Sequence, residues 1–379
     1  MALDLTGLPD VSFTDTDTAK VESAIITLYE GITKSVLFPA DPVRLFLSTL
    51  ANIIAQQNIL IDYTGKQNLL RYARGAFLDH LGALLGVERL EAKPASTVMR
   101  FILEAPLPFQ LIIPAGTRVT ADGVTYFATS GTLIIHAGTV CGDVEAACQR
   151  AGKEWNGIQC GQINRIVDPR PYVKSVENLD VTSGGADVED DESLRLRINL
   201  KPESFSVAGP ELAYVYWTLS AHPDILDASV TSPAPGVVNV FVLLRGGRIP
   251  EIDGSEIEAV ENILIGNNKV RPFTDFVTIY PADAHEIDYT ITWFISTSQS
   301  NRILEIENGI KAAVAEYEEW QTERIGRDII PDKLISLCQG AGAKRVELNG
   351  LEFTQLDNST ITKFTENPQR IVFGGMENL

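Results

Sequence analysis

The sequence predicts a multidomain α+β protein: an N-terminal helical region, a β-rich middle domain and two consecutive small α/β sandwich-like domains. Three observations carry that prediction. Apolar residues recur at helical spacing through residues 16–90. At Lys93-Pro94 the texture changes to short β runs broken by Gly and Pro. Beyond residue 184, helix-period and strand-period segments alternate in two successive blocks of similar content. The expected segments are 1–92, an N-terminal helical assembly region; 93–183, β-rich; 184–283, a first α+β domain; and 284–379, a second. A length of 379 residues accommodates such a division.

In the first segment, Val21, Ile25, Leu28 and Ile32 step by four, three and four and make one helical face. Phe38-Pro39 breaks it. Asp41 then reads as an N-cap with Pro42 at the first helical position. The next helix carries Phe46, Leu47, Leu50, Ile53, Ile54, Leu60 and Ile61, a stripe too wide for the few helices available to cover it. It is expected either to be buried within its own domain or to pack partly against helices of another chain. A shorter amphipathic helix around Gly75–Leu85 closes the region.

From Val98 to Ile166 the strands are short, and Asp122-Gly123 between Thr117–Thr120 and Thr125–Phe127 signals a tight hairpin. Gly209-Pro210 opens a helix through ELAYVYWTLSAH. Strands at ILDASVTS and GVVNVFVLLR follow, then a helix over Asp253–Ile265 and the strand FVTIYPA, giving α-β-β-α-β. The last block offers a strand at Glu286–Ile295 and an amphipathic helix over 301–320. A shorter helix at about 331–339 and strands at 344–348 and 370–373 complete it. Gly and Pro at 184–185, 209–210 and 233–236 serve equally as turns or as candidate hinges.

Fifty acids against 31 bases give a net charge of −19. That field repels phosphate and anionic lipid, so neither nucleic acid nor a membrane surface is an expected partner. No apolar run approaches a membrane span, and the N-terminus has no basic and apolar pair of regions of the secretory kind. The four cysteines show no CxxC spacing, which fits a reduced intracellular compartment, and His136 with Cys141, Cys148 and Cys160 makes a poor zinc set. No phosphate-binding loop, HExxH or GxSxG occurs. The four histidines lie far apart in the sequence. No catalytic residue, metal ligand or cofactor is expected.

The stretch SGGADVEDDESLRLRI (183–198) concentrates charge: Asp187, Glu189, Asp190, Asp191 and Glu192, followed by Arg195 and Arg197. Aligned on Asp187, a calcium loop fails at its sixth position, Glu192, and its twelfth, Ile198. Adjacent acids do not make the separated pair of a glycosidase. The acids suit the front of a helix, with Asp191 pairing to Arg195 one turn on. Against a helix, Leu194, Leu196, Ile198 and Leu200 alternate with polar residues, the period of a strand. The helix is the expectation here, entered from a flexible Gly184-Gly185.

The motifs also fall into a recognisable order. FLDHLGALLGVERLEAKPA (77–95), IPAGTRV (113–119), TYFAT (125–129), AGKEWNGI (151–158) with Val176-Glu-Asn178, the acidic signature at 183–198, AGPELAYVYW (208–217), PAPGVVNVFVL (233–243) and RPFTDFVTIYPA (271–282) resemble, in sequence order, the baseplate J-like family of contractile phage tails and tail-derived injection particles. The resemblance covers about residues 70–350; the first seventy carry no matching signature, and Val188 and Asp190 depart from the family's acidic run.

The resemblance implies a structural role, that of a wedge subunit in the ring at the end of the tail. Such a subunit links tube and hub to sheath and helps transmit the contraction trigger. It implies partners among other baseplate wedge proteins through the N-terminal helices and neighbouring copies through the C-terminal domains, with sheath and hub or spike proteins besides. It also implies synthesis in the bacterial cytoplasm before assembly into a phage tail or tail-like particle. It carries over no catalytic residue. The candidate subunit interface is Val21, Ile25, Leu28, Ile32, Phe46, Leu50 and Ile53; the candidate structural helix start is Asp187, Glu189, Asp190, Asp191, Arg195 and Arg197. The alternatives from other classes are a carbohydrate-acting hydrolase with the acids in a cleft and a host-glycan-binding β-protein.

Overall fold

The computed structural model describes residues 5, 7–206, 209–266 and 270–378. Ala208, at the start of one motif, therefore lies outside the described residues. The chain forms two compact units: one of the residues up to Arg89 together with Asp190–Pro202, the other of Leu90–Glu189 and Glu203 onward. Residues 190–202, expected to open the first α+β segment, thus pack with the N-terminal helices.

In the first unit, Asp17 caps helix α1 (Thr18–Thr33), its carboxylate accepting from Ala19 N and Lys20 N. Asp41 caps α2 (Pro42–Lys66), accepting from Val43 N, with Pro42 preset for the first turn. The two helices run antiparallel, since Asn58 Nδ2 donates to Asp15 O and Ser48 Oγ to Glu22 Oε1. The face of α2 turned inward is small: Leu47, Ala51 and Ala55 are buried, with Ile26 of α1. Helix α3 (Ala76–Ala83) and helix α4 (Asp191–Leu200) complete the unit.

The second unit begins with a β domain. Strands β1 (Pro94–Leu103), β2 (Leu111–Ile113), β3 (Arg118–Thr120), β4 (Tyr126–Thr129), β5 (Leu133–Ile135), β6 (Cys141–Ala151), β7 (Arg165–Ile166) and β8 (Val173–Asn178) follow one another. Six of them form an antiparallel sheet in the order β7-β3-β4-β6-β1-β8 that curls into a nearly closed barrel, with β2 and β5 as a separate pair. Residues of β1 alternate strictly between buried and half-buried, and Met99, Phe101 and Leu103 meet Ile113, Val119, Phe127 and Val176 inside. The expected hairpin is β3–β4, with Asp122 accepting from Val124 N and Thr125 N and Gly123 at φ 84°.

Next come α5 (Glu211–Leu219), β9 (Ile225–Ala234), β10 (Val237–Leu244), α6 (Ser255–Leu264) and β11 (Phe276–Pro281), the expected α-β-β-α-β. The sheet order is β11-β10-β9; β9 and β10 are antiparallel across the Pro235-Gly236 turn, and α6 makes the crossover to parallel β11. The final block holds β12 (Asp283–Ile287), β13 (Thr290–Ser296), α7 (Ile303–Thr322), α8 (Pro331–Gly340), β14 (Arg345–Asn349), β15 (Thr360–Phe364) and β16 (Ile371–Glu377). The single strand expected over Glu286–Ile295 is two, because β12 pairs with β15 while β13 pairs with β14 and β16 in another sheet. Trp293 and Ile291 of β13 lie under Ile306, Ile310 and Tyr317 of α7.

One polar side chain closes the barrel's long loops. Asn178, fully buried, accepts from Ile163 N (2.9 Å) and donates to Gln159 O (3.0 Å) and Asp180 O (2.8 Å). Replacing it with Ala strands three backbone groups, and Asn178→Ala is expected to lower stability by about 2–4 kcal/mol in urea unfolding. A loss below about 0.5 kcal/mol, the range of ordinary surface changes, would show that water replaces the amide without penalty.

Candidate functional site

Two features answer to the sequence's candidate residues: the outward face of α2 and the acidic signature. On α1, Val21 and Ile25 are half-buried, whereas Leu28 and Ile32 are 66% and 74% exposed. On α2, Phe46, Leu50 and Ile53 are 63%, 37% and 51% exposed, so the candidate residues split between the hairpin's seam and its outer surface. Ile54, Leu60 and Ile61 of the sequence's apolar stripe are exposed as well, and sequence reasoning missed Leu45, Ile59 and Tyr63 on the same helix, also exposed.

A signal for them was present. Residues 45–61 contain no Asp, Glu, Lys or Arg, in a chain that is 21% charged. Within the run, Phe46, Ile53 and Leu60 recur every seven residues, as do Val43, Leu50 and Gln57. A spacing of alternating three and four is that of a helix seam meeting another helix.

The acidic signature is distributed among separate partners. In the second unit, Asp187 Oδ1 accepts from Lys153 N (3.1 Å) and its carboxylate pairs with Lys153 Nζ (3.2 Å). These contacts, the backbone N–H first, hold its carboxyl below the usual range. Buried Glu189 accepts from Leu90 N (3.0 Å), while its own N–H donates to Leu90 O. Gly184 and Gly185 were expected as a flexible exit. Both are buried, and Gly185 is clamped: its N–H donates to Asn156 Oδ1 and its carbonyl accepts from Asn156 Nδ2, each at 2.8 Å.

In the first unit the signature is the helix α4. Asp190 is its N-cap, accepting from Ser193 N at 2.8 Å. Asp191 takes the Gly75 N–H (3.0 Å) on one oxygen and Arg89 Nη2 (2.7 Å) on the other, and Arg89 Nε also reaches Asp79 Oδ1 (2.9 Å). The expected Asp191–Arg195 pair does not form. Arg195 pairs instead with Glu192 at 2.6 Å, three residues back, and is drawn inward, donating to Leu70 O (2.8 Å) and Ala73 O (2.7 Å). Arg197 is buried too and donates to Glu88 O.

These inward arginines explain the strand-like alternation. Leu194, Ile198 and Leu200 are buried, and so are the two arginines, while Leu196 is exposed. Leu194 and Ile198 meet Ala73, Leu78 and Val87 in a small core. Gly82 permits the contact, since a Cβ there would lie 2.7 Å from Val87 O and 3.1 Å from Ile198 Cδ1.

Among the described residues, no group of three or more His, Cys, Asp or Glu side chains is placed to hold a metal ion, and no helix is long and apolar enough to cross a membrane. Cys148 and Cys338 are buried and Cys141 and Cys160 exposed, all as free thiols.

Two consequences can be measured. Arg195→Met removes the donors to two carbonyls and is expected to cost about 2–4 kcal/mol, with Arg195→Lys recovering less than half because an ammonium lacks the planar fork. An equal recovery by Lys would reduce the role to charge alone. Asp191 has its carboxyl lowered by the Gly75 N–H and by Arg89. Its contribution is therefore complete above the unfolded carboxyl value and lost as pH falls through the lower folded one. Asp191→Asn and the parent should differ in melting temperature at pH 7 and converge as acidification passes the lowered folded value of Asp191; a gap that persists in acid would contradict the assignment.

Comparison with known proteins follows the same segments. Residues 98–185 match the Baseplate J-like protein barrel domain, and residues 206–281 the Baseplate J-like central domain. The chain is 32% identical over 192 residues to Baseplate protein J of Escherichia phage P2, covering 50% of this chain and 61% of that protein. It is 25% identical over 232 residues to the uncharacterized protein YqbT of Bacillus subtilis (strain 168), covering 60% of this chain and 58% of that one. The matches thus span about three-fifths of these relatives' lengths. A chain in the cryo-EM structure of the anti-feeding prophage baseplate, 6-fold symmetrised, aligns with TM-score 0.43 at 15% identity over 96% of this chain and 95% of that one. With a barrel domain and a central domain in order and a phage baseplate protein among its relatives, the chain belongs to the baseplate J-like family.

Proposed function

We propose that this protein is a structural wedge subunit of a contractile-tail baseplate, with no catalytic activity of its own, and that α1 and α2 are where it joins another protein. The observation that carries the reading is the exposed, charge-free face of α2. A monomer in water gains nothing from presenting Phe46, Leu50, Ile53, Leu60 and Ile61 together. Covering the remaining exposed part of each such side chain contributes about 1 kcal/mol, roughly half of the value for full burial. The seven-residue recurrence favours helices as the cover, and the family's resemblance names another wedge protein as their source. Neighbouring copies would then meet through the C-terminal domains, and sheath and hub or spike proteins would complete the ring. In this reading residues 1–92 are the assembly region, 93–183 the barrel, and 184–283 and 284–379 two further domains that link tube and hub to sheath and pass on the contraction trigger. The particle is assembled from protein made in the bacterial cytoplasm. The relation to Baseplate protein J supports a baseplate role.

The test is assembly. Phe46→Ser with Ile53→Asp alters only exposed positions, so the isolated chain should keep its helical content and its stability within about 1 kcal/mol. The same variant should no longer co-purify with tail-end components, and particles made with it should lack baseplates. Normal incorporation of the variant would remove α2 from the interface.

A further inference from the structure

A buried histidine sits where the barrel's entry and exit strands meet the central domain, all within the second unit. His222 follows α5 and is 2% exposed. Its Nδ1 accepts from Asp224 N at 3.2 Å, so the ring proton is on Nε2, which is buried and turned to the Gly184 backbone without completing a well-formed hydrogen bond. The contact is tight. Gly184 adopts φ 77°, and a Cβ there would lie 2.5 Å from Ser255 Oγ at the start of α6. Lys93, half-buried just before β1, reaches over to Ala221 O at 3.5 Å, and its backbone pairs with Ala186.

The charges facing His222 come from every side. Lys93 lies on the barrel side, and Glu256 of α6 is buried beside Ser255, whose hydroxyl donates to it. Buried Asp224 pairs with Arg248, and Arg245 donates to Asp224 O and Pro223 O. Three cations therefore face two carboxylates while the ring is neutral.

We infer that His222 is an acid-sensitive latch: neutral, it lets the barrel's strand ends seat on α5 and α6; protonated, it places a fourth cation in the buried cluster and loosens that seat. Burial, then the Lys93 charge, lowers the ring's titration to about 4, and burial raises that of Asp224. The sign is consistent. A depressed folded value for a base means stability is complete above the unfolded value near 6.5 and is lost as pH falls towards the folded one. Asp224 gains its proton in the same direction, so the cluster turns more positive from both sides. The inference stands apart from the wedge reading.

Two measurements on the full chain test it. In a 13C-histidine NMR titration, His222 should change charge below pH 5. In hydrogen–deuterium exchange corrected for intrinsic rates, protection of segments 183–189 and 219–225 should fall of order tenfold between pH 6.5 and 4.5. His222→Asn, whose side-chain oxygen can still accept from Asp224 N, should show less than a quarter of that fall. Should the variant not fold, the parent decides: its protection should fall progressively from about pH 6.5 and level off only near the NMR midpoint of His222. Titration of His222 above pH 5, an unchanged protection profile, or the same fall in His222→Asn would overturn the latch.

Discussion

The Arg195 guanidinium donates to two carbonyls, Leu70 O and Ala73 O, in the turn-rich stretch between α2 and α3. Carbonyls leaving a helix without continuation need a donor, and burial without one is costly. Arg195 supplies it from more than a hundred residues away and in doing so fixes α4 against α3, which is what brings Leu194 and Ile198 onto Ala73, Leu78 and Val87. Arg89 repeats the logic in ionic form, holding Asp79 and Asp191 at once. A core of so few apolar residues is too small to specify one arrangement alone; the forked donors add the direction that hydrophobic contact lacks.

The second unit uses neutral amides to the same end. Asn156 closes on Gly185 through both its oxygen and its nitrogen, and Asn178 serves three backbone groups of the loops before β7 and after β8. Barrel strands of two to four residues cannot absorb long connections into ladders, so these loops depend on side chains for their hydrogen bonds. Family signatures that look like chemistry in the sequence, the Asn of the 151–158 loop and the acids of 183–198, are here occupied in holding backbone.

That is also why the sequence was legible in some places and not in others. The helix cap at Asp41, the Asp122-Gly123 hairpin and the α-β-β-α-β block follow from local rules, and each is where those rules put it. Local rules misled where a distant partner intervened. Alternation over Leu194–Leu200 counts arginines as outward residues, but Arg195 and Arg197 turn in because carbonyls wait for them. Asp191 is drawn from its neighbour four residues on by Arg89. The split of Glu286–Ile295 into β12 and β13 depends on strands more than fifty residues away.

The outer face of α2 remains the feature least explained by the chain's own packing. The inward face of α2 is one leucine, Leu47, with Ala51 and Ala55, which allow close approach and bury little area. Its bulky residues, Phe46, Ile53, Ile54, Leu60 and Ile61, point the other way. A helix selected for the stability of one chain would reverse that assignment, because buried area is what stabilises it. The absence of charge from residues 45 to 61 sharpens the point. In a chain of net charge −19, a helix face left to water would carry acids or lysines, which cost nothing there and oppose aggregation. Keeping them out is costly for the free chain and favourable only when the face is covered, which is the arrangement proposed above for α2.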